Sequence, residues 1–332
     1  TSNFFMILVT GGTGLVGSHL LQQLVGRKKA VRAIYRAGSD RRFLGGVVDS
    51  IEWVGADLLE PQSLYEAMQG IEEVYHCAAL VSYSPADVEL LQQANVQGTA
   101  NVVNMALEAG VRKLLHVSSI AALGRKGVLP IMTESSSWGN GAGVTHYAKS
   151  KMLAEREVWR GIEEGLEAVI VNPSVVLGRG DWRHGSPRLI QRVADGLRFY
   201  PSGGTGFVDV LDVVEVMQLL MERPISNERF ILNAANLSYQ DFFGMVASEL
   251  GVSAPVWRAA PILGELAWRL EAVRSRLTGK KALLTRETAR QAQKRSYYSS
   301  QKVADLLGYE FRPVQLSIKR VCQEFLADSR VV

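Results

Sequence analysis

Apolar residues arrive along this chain in short blocks that alternate with longer stretches of helical spacing. Met6–Val9 is one block, and Leu15, Leu20, Leu21 and Leu24 follow it at helical intervals. The pair then recurs: Ala30–Tyr35, Ile51–Val54, Glu73–Cys77 and Arg112–Val117 read as strands. Between them lie a helix opened by Pro61 and another from about Ala86 to Ala109. Short apolar runs between turn residues suit strands covered on both faces, and the periodic stretches suit crossover helices. The alternation predicts an α/β fold, a Rossmann-type doubly wound parallel sheet. A long helix from Thr145 towards Glu164 and a strand at Ala168–Val171 extend it.

The pattern changes at Arg179–Pro187, rich in Gly, Arg, Trp, His and Pro, which reads as a loop entering a smaller, mostly helical carboxyl-terminal lobe. The chain is expected to rejoin the main sheet at Phe207–Asp212 and the helix after it, then at Phe230–Asn233. The expected division is 1–178, with a return at about 205–235, for the Rossmann unit, and 179–204 with 236–332 for a substrate-binding lobe. Within the lobe, Pro261 to Leu277 places Ile262, Leu266, Leu270, Val273 and Leu277 on one face. It reads as a packed helix, with membrane contact or a pocket lid as the other reading.

The first strand runs into Thr10-Gly-Gly-Thr-Gly-Leu-Val-Gly17, and the first helix starts at once. Gly11 and Gly14 permit a sharp turn and let backbone approach a pyrophosphate. Thr13, Leu15 and Val16 bring free N–H groups and the positive end of the helix dipole to that charge, while Gly17 permits close helix–strand packing. The second strand ends at Tyr35-Arg36, with Arg41 and Arg42 close behind and no acid until Asp40. An acid at this strand tip would grip the ribose of NAD; Arg36 with Arg41 instead suits the 2′-phosphate of NADP. Ala78 and Ala79 end the fourth strand, small enough for a flat cofactor to lie against the backbone.

Composition narrows the rest. Of 332 residues 47% are apolar, which is ample for a core and excludes a disordered chain. The net charge of +4 is scattered, and its short basic runs lack interleaved aromatics, so nucleic acid is not the expected partner. Cys77 and Cys322 have neither metal-ligand nor disulfide-framework spacing. No metal, no signal peptide and no membrane span are expected, and the composition suits the cytoplasm.

Tyr147 and Lys151 are four apart on the predicted helix and share a face. A lysine cation beside a tyrosine would stabilise the phenolate, lower the phenol pKa and also hold the nicotinamide ribose. Ser119, at the end of the fifth strand, would orient a substrate oxygen for proton transfer. In this order the segments resemble an extended short-chain dehydrogenase/reductase of the NAD-dependent epimerase/dehydratase superfamily. The branch most similar is that of dihydroflavonol reductases and 3β-hydroxysteroid dehydrogenases. The likeness rests on Thr10–Gly17 for TGxxGxxG, Asp57-Leu58 for the adenine-contacting pair and Ala78-Ala79 for the pair beneath the cofactor. Further matches are Asn95–Thr99 for NxxGT, Ser118-Ser119 for the strand-end serines, Tyr147–Lys151 for YxxxK and Asn172-Pro173 for the motif at the carboxamide.

The resemblance implies Ser119, Tyr147 and Lys151 as catalytic residues and hydride transfer between NADP (NAD being possible) and a ketone, aldehyde or secondary alcohol. It also implies a homodimer through the helices 86–109 and 146–164, burying Leu90, Val158 and Ile162. Three departures bear on substrate, one being that Ile120-Ala121 stand where the dehydratases carry an acidic pair. Thr205-Gly206 stands where sugar-nucleotide epimerases carry a diphosphate-clamping arginine, and Gly124 where plant dihydroflavonol reductases carry a ring-reading asparagine. A mainly apolar, small-molecule carbonyl compound is therefore expected, met by Tyr83, Arg179, Trp182 and Arg188, with Trp257 and Trp268 walling an apolar cleft. The rival enzyme reading is a nucleotide-sugar epimerase or dehydratase that retains NAD(H), with Arg179, Arg183, His184 and Arg188 binding diphosphate. A non-catalytic cofactor sensor is the third, disfavoured because Tyr147 and Lys151 are both present.

Overall fold

A computed structural model describes residues 5–124, 131–136, 138, 144–259, 268–269, 271, 274 and 285–329. The apolar blocks form strands β1 (Met6–Thr10), β2 (Ala30–Tyr35), β3 (Glu52–Gly55), β4 (Ile71–His76), β5 (Lys113–Val117) and β6 (Ala168–Pro173). Short strands β7 (Val175–Leu177) and β8 (Phe199–Tyr200) precede β9 (Gly204–Asp209), β10 (Glu228–Leu232), β11 (Ala235–Ser238) and β12 (Trp257–Arg258). Seven of these form a parallel sheet in the order β10-β6-β5-β4-β1-β2-β3. The order reverses between β1 and β4, so their carboxyl ends part and open a crevice there.

The two-residue period of a strand sorts side chains to two cores. Ile7, Val9, Leu115, Val117, Val169 and Val171 face one side, packed on α1 (Leu15–Gly26). Leu8, Leu114, Ala168 and Ile170 face the other. That second face is covered by α2 (Pro61–Met68), a helical run from α3 (Val88–Leu91) through a π-helical turn (Gln92–Gln97) into α4 (Gly98–Glu108), and α5 (His146–Glu163). Thr145 caps α5 by accepting the Ala148 N–H.

The lobe has its own core. Phe207, Phe242, Phe243, Ile318 and Phe325 pack together between β9, helices α6 (Arg188–Ala194) and α8 (Tyr239–Leu250), and the terminal helix Val314–Ser329. One expectation is corrected here. Of the two segments expected back in the main sheet, β10 joins it beside β6, but β9 does not. β9 lies between β7 and β11 in a separate three-stranded sheet, and all six of its residues are buried. The return is made by the helix that follows, α7 (Val210–Glu222), whose Val213, Val214 and Met217 lie in the first core.

Val158, expected at a subunit contact, is fully buried beneath α5 in the second core, and Ile162 packs on the same cluster. Of the three positions only Leu90 is exposed. Most of the helix expected over 261–277, with all five of its stripe residues, lies outside the described residues.

Candidate active site

The glycine turn is built as its spacing requires. Gly11 has φ +67°, and a Cβ there would lie 2.6 Å from the Ala78 backbone. On Gly17 a Cβ would lie 2.2 Å from the Gly11 oxygen. Both contacts forbid a side chain: the first brings the ends of β1 and β4 together, the second packs α1 onto the turn. Thr10 adds a hydroxyl that accepts the Ala78 N–H at 3.2 Å. α1 begins at Gly14 with no side chain capping its first N–H groups. Gly14 is exposed, Thr13, Leu15 and Val16 are partly so, and Ala79 is open on the facing strand end. An uncapped helix start beside a side-chain-free turn fits the phosphates of a dinucleotide.

The neighbouring strand ends are pinned in place. Asp57 accepts the Leu59 N–H at 2.9 Å, and the Leu58 carbonyl accepts from Asn101 Nδ2 at 2.7 Å. At the tip of β2 the Arg41 guanidinium lies 4.3 Å from the rings of both Tyr35 and Trp53. Arg36 projects from the same tip and is exposed.

Ser119 follows β5, and its Oγ accepts the Ala121 N–H at 3.1 Å. Tyr147, 8% exposed, lies in the first turn of α5, with the Ser119 side chain acting on its phenol. Burial raises its phenol above the ordinary tyrosine value, and the Ser119 side chain pulls it partly back. This differs from the lowering expected of a neighbouring lysine. One turn on, Lys151 is 1% exposed and donates to the Val117 carbonyl at 2.9 Å. Burial pushes Lys151 down to about 8, opposed by the charge of Glu155. Near neutral pH, then, the phenol holds its proton and the amine is a cation.

Behind these groups the π-helical turn carries Asn95, which accepts the Leu80 N–H at 2.7 Å and donates to Ser150 Oγ at 2.9 Å. Asn172, at the end of β6 before Pro173, donates to the Ser119 carbonyl at 3.0 Å.

Among the substrate candidates, Tyr83 is brought onto the site: its ring meets that of Tyr147 edge-on at 5.6 Å. Arg179 and Trp182 are held by the terminal helix. Asp328 accepts both Arg179 Nε at 2.9 Å and Trp182 Nε1 at 3.0 Å. Arg183 and His184 both engage Asp181. Arg188 starts α6 and is partly exposed. Trp257 is 63% exposed on the outside of the lobe. Gly206 is hemmed in, since a Cβ there would lie 2.1 Å from Asn233 Oδ1; an arginine has no room at that position.

Sequence reasoning missed Glu155 and Arg229, which meet beneath the site at 3.4 Å. The i, i+4 spacing from Lys151 was a readable signal for Glu155; nothing local marked Arg229.

The family model described as NAD dependent epimerase/dehydratase matches residues 7–235. Sterol demethylase protein B of Methylococcus capsulatus is 35% identical over 232 residues, 68% of this chain and 68% of its own length. A Synechocystis protein provisionally named as a dihydroflavonol 4-reductase is 31% identical over 309 residues, 90% of this chain and 88% of its own. The crystal structure of gox2253 superposes with a TM-score of 0.84 at 33% identity, covering 98% of this chain and 99% of that one. Other curated relatives are named reductases and dehydrogenases. The chain is an oxidoreductase, and it belongs to the NAD-dependent epimerase/dehydratase family.

Proposed function

We propose that this protein is an NADP-dependent carbonyl reductase, working through Ser119, Tyr147 and Lys151 on a mainly apolar small molecule. The observation that carries the reading is the buried, protonated Tyr147 beside Ser119, with the buried Lys151 one turn away on the same helix and anchored to the Val117 carbonyl of the Ser119 strand. When bound, the nicotinamide cofactor supplies hydride to a carbonyl carbon, or accepts it from a secondary alcohol. Ser119 Oγ holds the carbonyl oxygen, and Tyr147 Oη gives that oxygen its proton, leaving a phenolate that solvent reprotonates. Lys151, with a single backbone partner among the described residues, has donors to offer the ribose hydroxyls and a charge that would stabilise the phenolate. The glycine turn with Thr13, Leu15 and Val16 would hold the phosphates, Asp57 and Leu58 the adenine, Arg36 and Arg41 the 2′-phosphate. Ala78, Ala79, Asn172 and Pro173 would lie along the nicotinamide half.

Two observations favour an apolar carbonyl over a sugar nucleotide: Gly206 cannot be the clamping arginine, and Arg179 is already paired with Asp328. Aromatic rings at Tyr83 and Tyr147 suit a substrate with an apolar body. The curated relatives named for a sterol and for a dihydroflavonol agree with this class. We further propose a cytoplasmic homodimer with Leu90 at its contact. The test is a panel of sterol-like, aromatic and aliphatic carbonyl compounds, with NADPH oxidation followed by absorbance. Calorimetry with UDP and dTDP runs beside it. Turnover in the panel without nucleotide binding is expected; micromolar binding of either nucleotide would replace this reading with the epimerase.

A further inference from the structure

Glu155 lies one turn beyond Lys151 on α5 and is only 3% exposed. A carboxylate so deep must have its oxygens partnered. Oε1 accepts from Asn172 Nδ2 at 2.5 Å, and Oε2 faces Arg229 Nη1 at 3.4 Å. The same amide nitrogen of Asn172 donates to the Ser119 carbonyl at 3.0 Å. One side-chain amide therefore ties the helix of Tyr147 and Lys151 to the strand end of Ser119. Turning that amide over would set its oxygen against both a carboxylate and a carbonyl, so Glu155 fixes its sense. Arg229 carries the brace to β10, donating to the Glu134 carbonyl at 2.9 Å and the Ser136 carbonyl at 3.0 Å.

We infer that Glu155 is a positioning residue: through Asn172 and Arg229 its carboxylate locks α5 against the Ser119 strand end, and it sets a negative charge beside the Lys151 ammonium. The inference rests on the reading of Ser119, Tyr147 and Lys151 given above.

The groups acting on Lys151 are Glu155 on its own helix, Cys77 and His76 from the β4 end, and His116 from β5. Three of the four are uncharged near neutral pH. Burial pushes the Cys77 thiol up to about 12 and His76 down to about 3, with Lys151 adding to the second effect. His116 is pushed well below its ordinary value by burial, then by Lys151 and His76. That leaves Glu155 as the charge acting on Lys151, and Arg229 as the charge facing Glu155. Burial pushes the lysine towards neutrality, and Glu155 is what opposes it.

The test needs no substrate. NADPH affinity is followed by the fluorescence of the reduced nicotinamide from about pH 6 to about pH 10, where lysine can titrate. Wild-type affinity should fall as Lys151 loses its proton near pH 8. Glu155→Gln keeps the size and an amide oxygen for Asn172 but removes the charge, so the midpoint should move down by about one pH unit. Arg229→Gln leaves Glu155 less neutralised, and its midpoint should move up. Circular dichroism melting of each variant confirms folding, and if Glu155→Gln does not fold, the Arg229→Gln shift decides. Lys151→Met separates the two readings. If pH dependence survives in Lys151→Met, the lysine reading itself fails. If it flattens there while neither Glu155→Gln nor Arg229→Gln moves the midpoint, the role of Glu155 is overturned and the triad stands.

Discussion

Two lysines lie buried at opposite ends of one strand system, and they are buried for different reasons. Lys113 opens β5 at the amino edge of the sheet and is 2% exposed. Its ammonium donates to the carbonyls of Leu220 at 2.7 Å and Arg223 at 2.8 Å, with Met221 at 3.4 Å. These oxygens belong to the last turn of α7, where a cation also meets the negative end of the helix dipole. Lys151, at the carboxyl edge, has one hydrogen-bond partner among the described residues, the Val117 carbonyl. The same edge holds Ser118 Oγ, Asn172 Oδ1, Ser174 Oγ and Asn233 Oδ1, all buried and without a hydrogen-bond partner among the described residues. At the amino edge Lys113 completes its bonds within the chain. The carboxyl edge leaves them incomplete, which is where a bound cofactor and substrate could complete them.

The sharpest way to break this contrast is Tyr147→Phe. It removes one oxygen at the incomplete edge, so turnover should fall by about 10²–10⁴-fold. Melting temperature and cofactor affinity should stay close to wild type. Retention of more than about a tenth of the turnover would show that another group gives the proton.

Next in size is the lysine pair, where the two edges should respond with opposite signs. Lys151 has its pKa lowered from 10.5 to about 8 in the folded protein. Between those values the unfolded chain holds a proton that the folded chain does not, so stability rises with pH across that window. Below about pH 8 the buried cation costs on the order of 3 kcal/mol. Lys151→Met should therefore be more stable than wild type at pH 7, the gap closing by about pH 10.5, while cofactor affinity drops. Lys113→Met should lose stability by stripping the α7 carbonyls of several bonds at once, offset only in part by release of the burial cost that lowers the Lys113 pKa, with cofactor affinity untouched. Equal-signed stability changes in urea unfolding would erase the distinction.

Most of the incomplete edge was legible in the sequence because its chemistry is local. The glycine turn, Tyr147–Lys151 and the strand-end serine each declare themselves within a few residues. What was not legible depends on partners far along the chain. Arg179 read as a free cation, yet its partner Asp328 is 149 residues away. β9 read as a main-sheet strand because burial on both faces looks alike in either sheet; its neighbours β7 and β11 decide the matter. Val158 read as interfacial because an apolar helix position does not say which body covers it. The phenol of Tyr147 was expected to be lowered, since spacing alone shows that Lys151 shares its face but not how deeply the ring is buried.

The smallest expected effect repeats the comparison at the tip of β2, between a spent cation and an unspent one. Arg41 is stacked between the rings of Tyr35 and Trp53, whereas the exposed Arg36 guanidinium has no partner among the described residues. A charge-assisted hydrogen bond to a phosphate is worth about 1.5–3 kcal/mol. Arg36→Ala should therefore raise the NADP dissociation constant by about tenfold or more and leave NAD binding within about twofold. Arg41→Ala removes packing from the strand tip as well as charge, so it should weaken both cofactors, NADP somewhat more. Fluorescence titration with the two reduced cofactors measures all four constants. Equal affinity for NADPH and NADH in the unmodified protein, unchanged by Arg36→Ala, would show that the unspent cation at this corner has no phosphate to meet.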